Sequence, residues 1–514
     1  MDQQDLGLVD VDQTIMRIAE AHPDRVRLEE TTPLRRRFID RHVEQAVLAD
    51  AWNSGRAELV HLHGRRRVGK SALLGRFAEG RHIAYYVAAQ QLEAAQLTDL
   101  GEVLGPLSTG FRPGRPPRLA IRDWAELLDV LTDAARRSRV GLILDEFPYL
   151  IEANESLPSL IQRWWDRVGS KADLVLVLAG SHQAMMRSLL DPDGALHGRP
   201  TRRLEVRPLD YFHAGRFMAR WSPEDRVRAY AVAGGMPAYL ERFDDRHPFR
   251  YELYRVAYSP DGRLFQEAPE LLSREFTEPR TYESVLRAIA SGYVTPSEIA
   301  QQAGLSGANR VGPYIDRLIQ LGMVRRVTLP SEAQEVRPRI SRYVLADQYL
   351  RFYFALVDPW RSAIQQGRGG PVLDHLWPEA FDQFVSRAFE DVAVQYLLRL
   401  SGAQELPPVS SSGPWWFTGG GDIDAVTMTG NVMTAAAEAK WTTEYLKPGD
   451  LAELRTNVAR AQRGATPRLF GFSRSGFDRH LRDETDLTQV KLRDLYRADL
   501  DYERRTDAWL TARP

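Results

Sequence analysis

The chain has no cysteine among its 514 residues. This absence excludes disulfide bonds, zinc sites built on thiolates, and a cysteine nucleophile. Long apolar runs are also missing: no stretch approaches the roughly 18 consecutive apolar residues that a transmembrane helix needs, so we expect none. The N-terminal sequence MDQQDLGLVDVDQ is acidic, and it lacks the basic and then apolar order of a signal peptide.

The chain also lacks an excess of positive or negative charge. The chain carries 68 Lys and Arg residues against 69 Asp and Glu residues. This balance argues against a protein whose whole surface binds nucleic acid, although it leaves room for a local basic groove. The length predicts about three domains rather than a single core.

A glycine-rich loop dominates the first part of the chain. The apolar run at residues 59–62 predicts a strand, and residues 64–71 fit G-x-x-x-x-G-K-[ST] at every fixed position. A strand, a glycine loop and a helix in that order form the context of a P-loop, whose backbone N–H groups cradle phosphate. The alternative is a glycine turn that matches by chance. The residues predicted to bind the nucleotide are Gly64, Arg65, Val68, Gly69, Lys70, Ser71 and Ala72.

A second pattern supports the P-loop. Residues 140–144 are apolar and end in Asp145 and Glu146. In this setting Asp145 and the Ser71 hydroxyl can hold Mg²⁺, while Glu146 can polarise the attacking water. An Asp-Glu pair after a strand is common by chance, and its meaning here depends on the P-loop before it. We therefore expect ATP and Mg²⁺ as cofactors and, with no membrane segment or leader predicted, a cytoplasmic protein.

Alternating strands and helices predict a parallel α/β sheet covered on both faces. Further strands are expected at residues 83–87 and 174–181, and Ser181 or His182 lies where a sensor residue would face the γ-phosphate. The alternative is that His182 is an ordinary loop histidine with no role at the phosphate.

Three further segments join the two motifs: Gly198-Arg199, residues 204–209, and the Gly-Gly-Met-Pro segment at 234–237. The set resembles the archaeal-type ATPases, an AAA-like branch of the STAND P-loop NTPases, over about residues 36–345. The resemblance implies that Gly-Gly-Met-Pro opens a helical lid. It also implies that Arg199 contacts phosphate, within one chain or across a homo-oligomer boundary. The alternative for Arg199 is an ordinary surface salt bridge.

Residues 279–345 carry the pattern of a winged helix. Thr295, Pro296 and Glu298 form a helix start with a capping box. The third predicted helix would present Arg310 and Arg317, which is a thin basic face for reading DNA. Two interpretations stay open: a DNA reader, or a spacer that docks protein.

The C-terminal part carries a second set of carboxylates. Glu390 lies on a predicted helix, Asp424 on a strand, and Glu438 and Lys440 on the next strand, where two-residue spacing puts them on one face. The order resembles the PD-(D/E)XK nuclease core that is fused to archaeal-type ATPases. The resemblance implies Mg²⁺ held by Asp424, Glu438 and Glu390, with Lys440 orienting water. The alternative is a retained fold that binds without cutting.

Two smaller expectations concern this C-terminal part. Trp415 and Trp416 are predicted to lie in a loop. They could stack on nucleic-acid bases, but the preferred interpretation is that they close the edge of a core. Residues 477–514 are expected to be a polar helical tail.

The predicted fold class is α/β: a parallel-sheet P-loop ATPase core with a helical lid, a winged-helix domain and an α/β restriction-endonuclease-like domain. The predicted divisions are an N-terminal extension, the ATPase core, the lid, the winged helix and the nuclease-like domain, at 1–30, 31–204, 205–278, 279–345 and 346–514.

The sequence predicts an ATP-hydrolysing switch that controls a metal-dependent nuclease acting on nucleic acid, DNA more than RNA. A protein trigger and a homo-oligomer are expected partners, and a membrane is not. Two alternatives stay open: a nucleotide-driven signalling scaffold with a non-cutting C-terminal domain, and an ATP-responsive DNA-binding regulator.

Overall fold

The computed structural model describes residues 38–109, 119–332 and 341–501. The predicted N-terminal extension and the end of the predicted tail lie outside these ranges. The described residues form two compact units. The first unit contains Asp40–Pro208 and Met236–Ala238, and the second contains Leu209–Gly235 and Tyr239–Leu500.

The first unit is built on a five-stranded sheet. Its strand order is β2-β3-β4-β1-β5, and every pairing is parallel. The strands are β1 Glu58–His63, β2 Ile83–Val87, β3 Val140–Asp145, β4 Leu174–Gly180 and β5 Arg202–Glu205. The helices are α1 His42–Asn53, α2 Lys70–Ala78, α3 Glu93–Thr109, α4 Trp124–Ala135, α5 Phe147–Ala153, α6 Leu157–Arg167 and α7 Gln183–Ser188.

The predicted parallel sheet is confirmed, and burial explains which strands were visible in the sequence. Every residue of β3 and β4 is buried, which is expected of central parallel strands with helices on both faces. β5 was not predicted. It is four residues long and lies at the sheet edge, and only Leu204 is buried in it, so it has no apolar run to reveal it.

The second unit begins with short helices and continues into a mixed α/β region. Its strands are β6 Val324–Thr328, β7 Ser341–Leu345, β8 Ser411–Trp416, β9 Asp422–Thr429, β10 Val432–Lys440, β11 Arg468–Ser473 and β12 Leu487–Lys491. Its helices, the first part of α10 excepted, are α8 Tyr211–Ala214, α9 Pro223–Ala233, α10 Pro237–Leu240, α11 Phe249–Leu253, α12 Arg263–Glu275, α13 Pro279–Ala290, α14 Pro296–Gln302, α15 Ala308–Gln320, α16 Gln348–Phe352, α17 Arg361–Gln365, α18 Gly369–Leu376, α19 Glu379–Gly402 and α20 Pro448–Ala461.

The described residues of 279–332 and 341–345 form three helices followed by the antiparallel pair β6–β7. The predicted capping box between Thr295 and Glu298 is present. Val327 and Leu329 belong to the same buried cluster as Trp415 and Trp416, and the Arg342 guanidinium lies 4.4 Å from the ring centroid of Trp416. One face of β6–β7 therefore packs within the second unit, and the role of this segment stays a prediction.

The C-terminal sheet has the order β12-β11-β10-β9-β8. β8, β9 and β10 are antiparallel neighbours, whereas β10, β11 and β12 are parallel. The hairpin predicted between the Asp424 and Glu438 strands is confirmed by β9 and β10, and the strand predicted at the end of the core is β11. Each of these elements has enough apolar residues to be read from the sequence alone.

Two expectations about this sheet are wrong. Trp415 and Trp416 lie on strand β8 rather than in a loop, and both are buried, as the preferred core-closing role requires. The tail does not form a regular helix: within the described residues it contributes β12 and short 3₁₀ turns. β12 is a strand because its backbone pairs with that of β11. The sequences of the two strands do not indicate that they pair.

Among the described residues, no helix is both long and apolar enough to cross a membrane.

Gly235→Ala should lower the free energy of unfolding of the second unit by about 3 kcal/mol. A Cβ on Gly235 would lie 1.7 Å from the Leu209 carbonyl oxygen, so the backbone must shift to accept it. Urea unfolding measures the change.

Gly312→Ala is the matched control, because nothing lies within 4 Å of a Cβ there. Gly312 lies inside α15, where alanine should stabilise by about 0.8 kcal/mol. Equal effects of the two substitutions would contradict the steric argument.

Candidate functional sites

The two glycines of the predicted P-loop are needed for different reasons. Gly69 precedes α2 with φ +97°, a backbone conformation that side-chain-bearing residues rarely adopt. Gly64 is needed for close approach: a Cβ there would lie 2.4 Å from the Val206 carbonyl oxygen. The loop between β1 and α2 is thus tightly curled, as a phosphate cradle requires.

Lys70 is folded into this curl. Its Nζ donates to the carbonyl oxygens of Gly64 at 2.9 Å and Arg65 at 3.1 Å. Burial lowers the pKa of Lys70, and the charges of Glu146 and Asp145 oppose that effect. An arriving phosphate can replace the two carbonyls as the partner of the ammonium group.

Ser71 and Asp145 lie side by side, as predicted for a magnesium site. The Ser71 Oγ donates to Asp145 Oδ2 at 2.7 Å. Tyr85 on β2 donates its hydroxyl to the same oxygen at 2.8 Å, and burial followed by the Asp145 charge raises the pKa of Tyr85. Hydroxyl and carboxylate oxygens are the hard donors that Mg²⁺ prefers. Sequence reasoning missed Tyr85, whose only signal is its place two residues before the end of an edge strand.

Glu146 immediately precedes α5 and has a left-handed conformation, with φ 54° and ψ 44°. Its Oε2 accepts hydrogen bonds from the Ser181 Oγ at 2.7 Å and the Ser181 N–H at 3.2 Å. Ser181 thus contacts the predicted catalytic carboxylate. His182 instead caps α7, because its Nδ1 accepts from the Met185 N–H at 3.2 Å.

Arg199 forms the salt bridge that was its alternative interpretation. Its guanidinium donates to both carboxylate oxygens of Asp166 and to the His197 carbonyl. The hydrogen bond from Arg199 lowers the pKa of Asp166. A contact between Arg199 and phosphate stays a prediction, and it requires Arg199 to leave Asp166.

Arg41 is a residue of this region that sequence reasoning missed. It is 5 % exposed and has φ 72°. Its guanidinium donates to the Val68 carbonyl at 2.8 Å and to the Arg207 carbonyl at 2.7 Å. Arg41 therefore supports the P-loop although it lies at least 23 residues before it in the sequence. A local motif does not extend that far, so this contact could not be identified from the sequence.

Ser181→Ala should lower the turnover of ATP about 10-fold and leave nucleotide affinity within about twofold. The substitution removes the hydroxyl that orients Glu146 and leaves Lys70 and Ser71 untouched. Phosphate-release kinetics and nucleotide titration check the two halves. A comparable loss of affinity would contradict a role confined to Glu146.

The second carboxylate site lies at the ends of β9 and β10. The strands pair with Ala437 opposite Ala425, which places Glu438 and Asp424 on neighbouring strands. The Ala439 N–H donates to Asp424 Oδ2 at 2.7 Å. Lys440 Nζ lies 2.8 Å from Glu438 Oε1, so these two side chains share a face, as their spacing predicts.

These carboxylates repel one another in a partly dry environment. Burial raises the pKa of Asp424 well above its ordinary value, with further contributions from Glu438 and Glu390. Burial also raises the pKa of Glu390 to about 7, with help from Asp391 and Asp422. For Lys440, burial lowers the pKa, but the hydrogen bond and charge of Glu438 outweigh it and raise the pKa.

Within residues 38–109, 119–332 and 341–501, no group of three or more His, Asp or Glu side chains is arranged to hold a metal ion. A Mg²⁺ site formed by Glu390, Asp424 and Glu438 stays a prediction, and the charges of Glu438 and Glu390 add to the burial that raises the pKa of Asp424. Carboxylate oxygens match the donor chemistry of Mg²⁺, and a divalent cation would offset the burial of charge and the repulsion that together raise the pKa values of Asp424 and Glu390.

Glu390→Gln should stabilise the metal-free chain at pH 8 by about 3 kcal/mol and have little effect near pH 4.5. The folded state raises the pKa of Glu390 from 4.5 to about 7. The folded state therefore binds the extra proton, and stability falls as pH rises through this window. Urea unfolding in EDTA at the two pH values measures it. Equal stability of both proteins at pH 8 would contradict the assignment.

The parallel sheet, the curled glycine loop, the folded-in Lys70 and the Ser71–Asp145 pair define a P-loop ATPase core. An ATPase domain found predominantly in Archaea matches residues 38–243. A second family, described as archaeal and bacterial proteins of unknown function, matches residues 353–454.

One relative aligns with most of the chain. An uncharacterised protein of Methanocaldococcus jannaschii is 30 % identical over 427 residues, which is 82 % of this chain and 91 % of the relative. The chain belongs to the same family as that protein, and its residues 38–243 are an archaeal-type ATPase domain. A shorter match, 44 % identical over 46 residues, covers 9 % of this chain and 78 % of an uncharacterised ATP-binding protein of the same organism.

Solved structures similar to the chain include the Walker-type ATPase of Pyrococcus abyssi. It is 21 % identical, with a TM-score of 0.49, and the match covers 63 % of this chain and 99 % of that one. The ORC2 protein of Aeropyrum pernix is 15 % identical, with a TM-score of 0.39, over 63 % of this chain and 93 % of that one.

Proposed function

We propose that the chain is an ATP-hydrolysing switch whose nucleotide state controls a C-terminal, metal-dependent nuclease domain that acts on nucleic acid, DNA more than RNA. The observation that carries the nuclease half is the arrangement of Asp424, Glu438 and Lys440 on neighbouring strands. We also propose that the chain acts in the cytoplasm.

At the first site, the backbone N–H groups of the glycine loop and Lys70 bind the phosphates of ATP. Ser71 and Asp145 would hold Mg²⁺, which neutralises charge on the β- and γ-phosphates. Glu146, oriented by Ser181, accepts a hydrogen bond from the attacking water and directs it at the γ-phosphate. Arg199 adds a positive charge to the phosphates when it leaves Asp166, within the chain or across a homo-oligomer.

At the second site, Asp424 and Glu438 would hold Mg²⁺, with Glu390 approaching when the ion relieves their repulsion. The ion would supply an activated water and offset phosphate charge. Lys440, kept protonated beside Glu438, orients that water and binds the scissile phosphate.

The order of elements supports this assignment. Helix α19 is followed by the antiparallel strands β8, β9 and β10, then by helix α20 and the parallel strand β11. This order resembles a restriction-endonuclease-like core, with Glu390 on the first helix and the other three residues on the second and third strands.

For residues 279–345 we propose a winged helix that serves as a spacer rather than a DNA reader. The packing of Val327 and Leu329 in the cluster of β8 and β9 supports this role. The alternative is a scaffold, in which nucleotide drives assembly with a protein trigger and the C-terminal domain binds without cutting.

Incubation of the purified chain with duplex DNA, single-stranded DNA and RNA, each with Mg²⁺ or Mn²⁺, tests the nuclease. We expect metal-dependent cleavage that EDTA stops. An absence of cleavage on every substrate would favour the scaffold.

The switch is tested by comparing cleavage with ATP, with ADP and without nucleotide. Wild-type cleavage should depend on nucleotide, and Lys70→Ala cleavage should not. Equal cleavage by the two proteins under all three conditions would refute nucleotide control.

A further inference from the structure

A closed ring of four charged side chains joins three parts of the second unit. Arg474 donates to Glu224 and to Asp382, with N to O distances of 2.8 and 2.6 Å. Arg228 completes the ring at 2.8 Å from Glu224 and 3.4 Å from Asp382. We call Glu224, Arg228, Asp382 and Arg474 the ion ring.

The ion ring is largely shielded from solvent. The side chains of Arg228, Asp382 and Arg474 are 11, 16 and 14 % exposed, and that of Glu224 is 33 % exposed. Buried ion pairs add little net stability, but loss of one partner leaves an uncompensated charge. Such a ring therefore fixes the relative positions of the elements that carry it more than it stabilises the fold.

One side of the ion ring touches the end of the candidate catalytic strand. The backbone N–H of Arg474, the residue whose guanidinium belongs to the ring, donates to the Lys440 carbonyl at 3.0 Å. Asp382 accepts a hydrogen bond from the Trp441 indole at 3.2 Å, and the Arg474 guanidinium lies 5.2 Å from the ring centroid of Trp441. The ring side chains therefore contact Trp441, the residue after Lys440, and the backbone of Arg474 is hydrogen-bonded to Lys440 itself.

The other side of the ion ring lies in the first two turns of α9, which carry Glu224 and Arg228. Helix α9 ends at Ala233, and the chain passes through Gly234 and Gly235 into Met236–Ala238. Those three residues belong to the compact unit of the P-loop. The Pro237 Cγ lies 3.7 Å from the position of a Cβ on Gly69, so Pro237 lies beside the P-loop.

A second contact leads from the same end of α9 to the helix of Glu390. A Cβ on Gly234 would lie 3.1 Å from the Gln348 Cβ, and Gln348 Nε2 donates to Asp391 at 2.9 Å. One end of α9 is thus connected to Asp391, next to the candidate ligand Glu390, and the other end to Trp441, next to Lys440.

We propose that the ion ring is the positioning element through which the nucleotide state of the P-loop sets the position of Lys440. A packed helix moves as a unit, so a shift at its glycine end reaches the ring at its other end. This inference rests on the proposed switch function and names the residues that couple its two sites.

Hydrogen exchange tests the coupling without requiring cleavage. The full chain is compared without nucleotide and with Mg²⁺ and a non-hydrolysable ATP analogue, and exchange is followed at residues 440–446. In the wild type we expect nucleotide to change the exchange rate by about fivefold, the lower end of typical site-to-site coupling. In Arg474→Gln and Asp382→Asn the change should be lost.

Three further variants separate positioning from folding. Glu224→Gln alters the most exposed member of the ring, and it should reduce the nucleotide effect in a protein that folds. Arg474→Lys keeps the charge and should restore at least half of the effect. Arg497→Gln breaks an ion pair with Glu405 in the same unit and should leave the effect intact.

An unchanged exchange rate in the wild type, or a nucleotide effect that persists in all the ring variants, would overturn the coupling. The cleavage assay is independent of this result. If hydrogen exchange responds as expected but the chain never cleaves nucleic acid, the nuclease is refuted and the coupling is retained. If cleavage depends on nucleotide but exchange does not respond in the wild type, the coupling through the ring is refuted and the nuclease is retained.

Discussion

Lys70→Ala should reduce ATP hydrolysis by about 10²- to 10³-fold, the effect expected when a positioned charge that stabilises transferring phosphate is removed. Lys70 is buried, and its Nζ is held only by loop carbonyls of Gly64 and Arg65 among its described hydrogen bonds. It is therefore placed to exchange those carbonyls for phosphate oxygens. Phosphate release at saturating ATP, together with nucleotide titration, measures the loss.

Lys171→Ala is the matched control for this prediction. Lys171 is exposed and precedes β4, at the amino end of the strands, whereas the P-loop follows the carboxyl end of β1. The same change of residue there should leave hydrolysis within about twofold, because surface substitutions away from a site have small effects. Similar rates for both variants would remove Lys70 from the mechanism.

Asp424→Ala and Lys440→Ala should each lower nucleic-acid cleavage by about 10²-fold or more. Asp424 is a half-buried carboxylate whose pKa is raised by burial and by the charges of Glu438 and Glu390, and its loss removes a proposed metal ligand. Lys440 loses its role toward water and phosphate. Gel-based cleavage of labelled DNA over a range of Mg²⁺ concentrations measures both.

The double variant sharpens this prediction. Groups that act as one unit have non-additive effects, so Asp424→Ala combined with Lys440→Ala should be little worse than either change alone. Asp486→Ala serves as a control, since Asp486 pairs with Arg455 on the surface. Cleavage that survives in both single variants would come from another source and would refute the site.

Motifs with fixed spacing were readable from the sequence because their geometry is local. The glycine loop from Gly64 to Ser71 and the strand that ends at Asp145 were both predicted, as was the face shared by Glu438 and Lys440. In each case the chemistry depends on residues a few positions apart on one element, and the periodicity of a strand or helix fixes their relative directions.

Residues that act through contacts with distant parts of the chain could not be identified from the sequence. Arg41 braces Val68, Tyr85 shares Asp145 with Ser71, and Ser181 holds Glu146. Each is an ordinary residue in its local sequence, and its role depends on which strands become neighbours. The same is true of β12, which exists through its pairing with β11.

The sequence by itself determined that this protein carries a phosphate-binding loop on a parallel sheet, followed by a separate set of carboxylates far along the chain. Those features follow from residue types at fixed spacing. Only the tertiary structure decided that Arg199 pairs with Asp166, that β6–β7 packs against protein, and that an ion ring ties α9 to Lys440. These depend on close packing and on charge pairing between segments up to about 250 residues apart, which chain folding alone brings together.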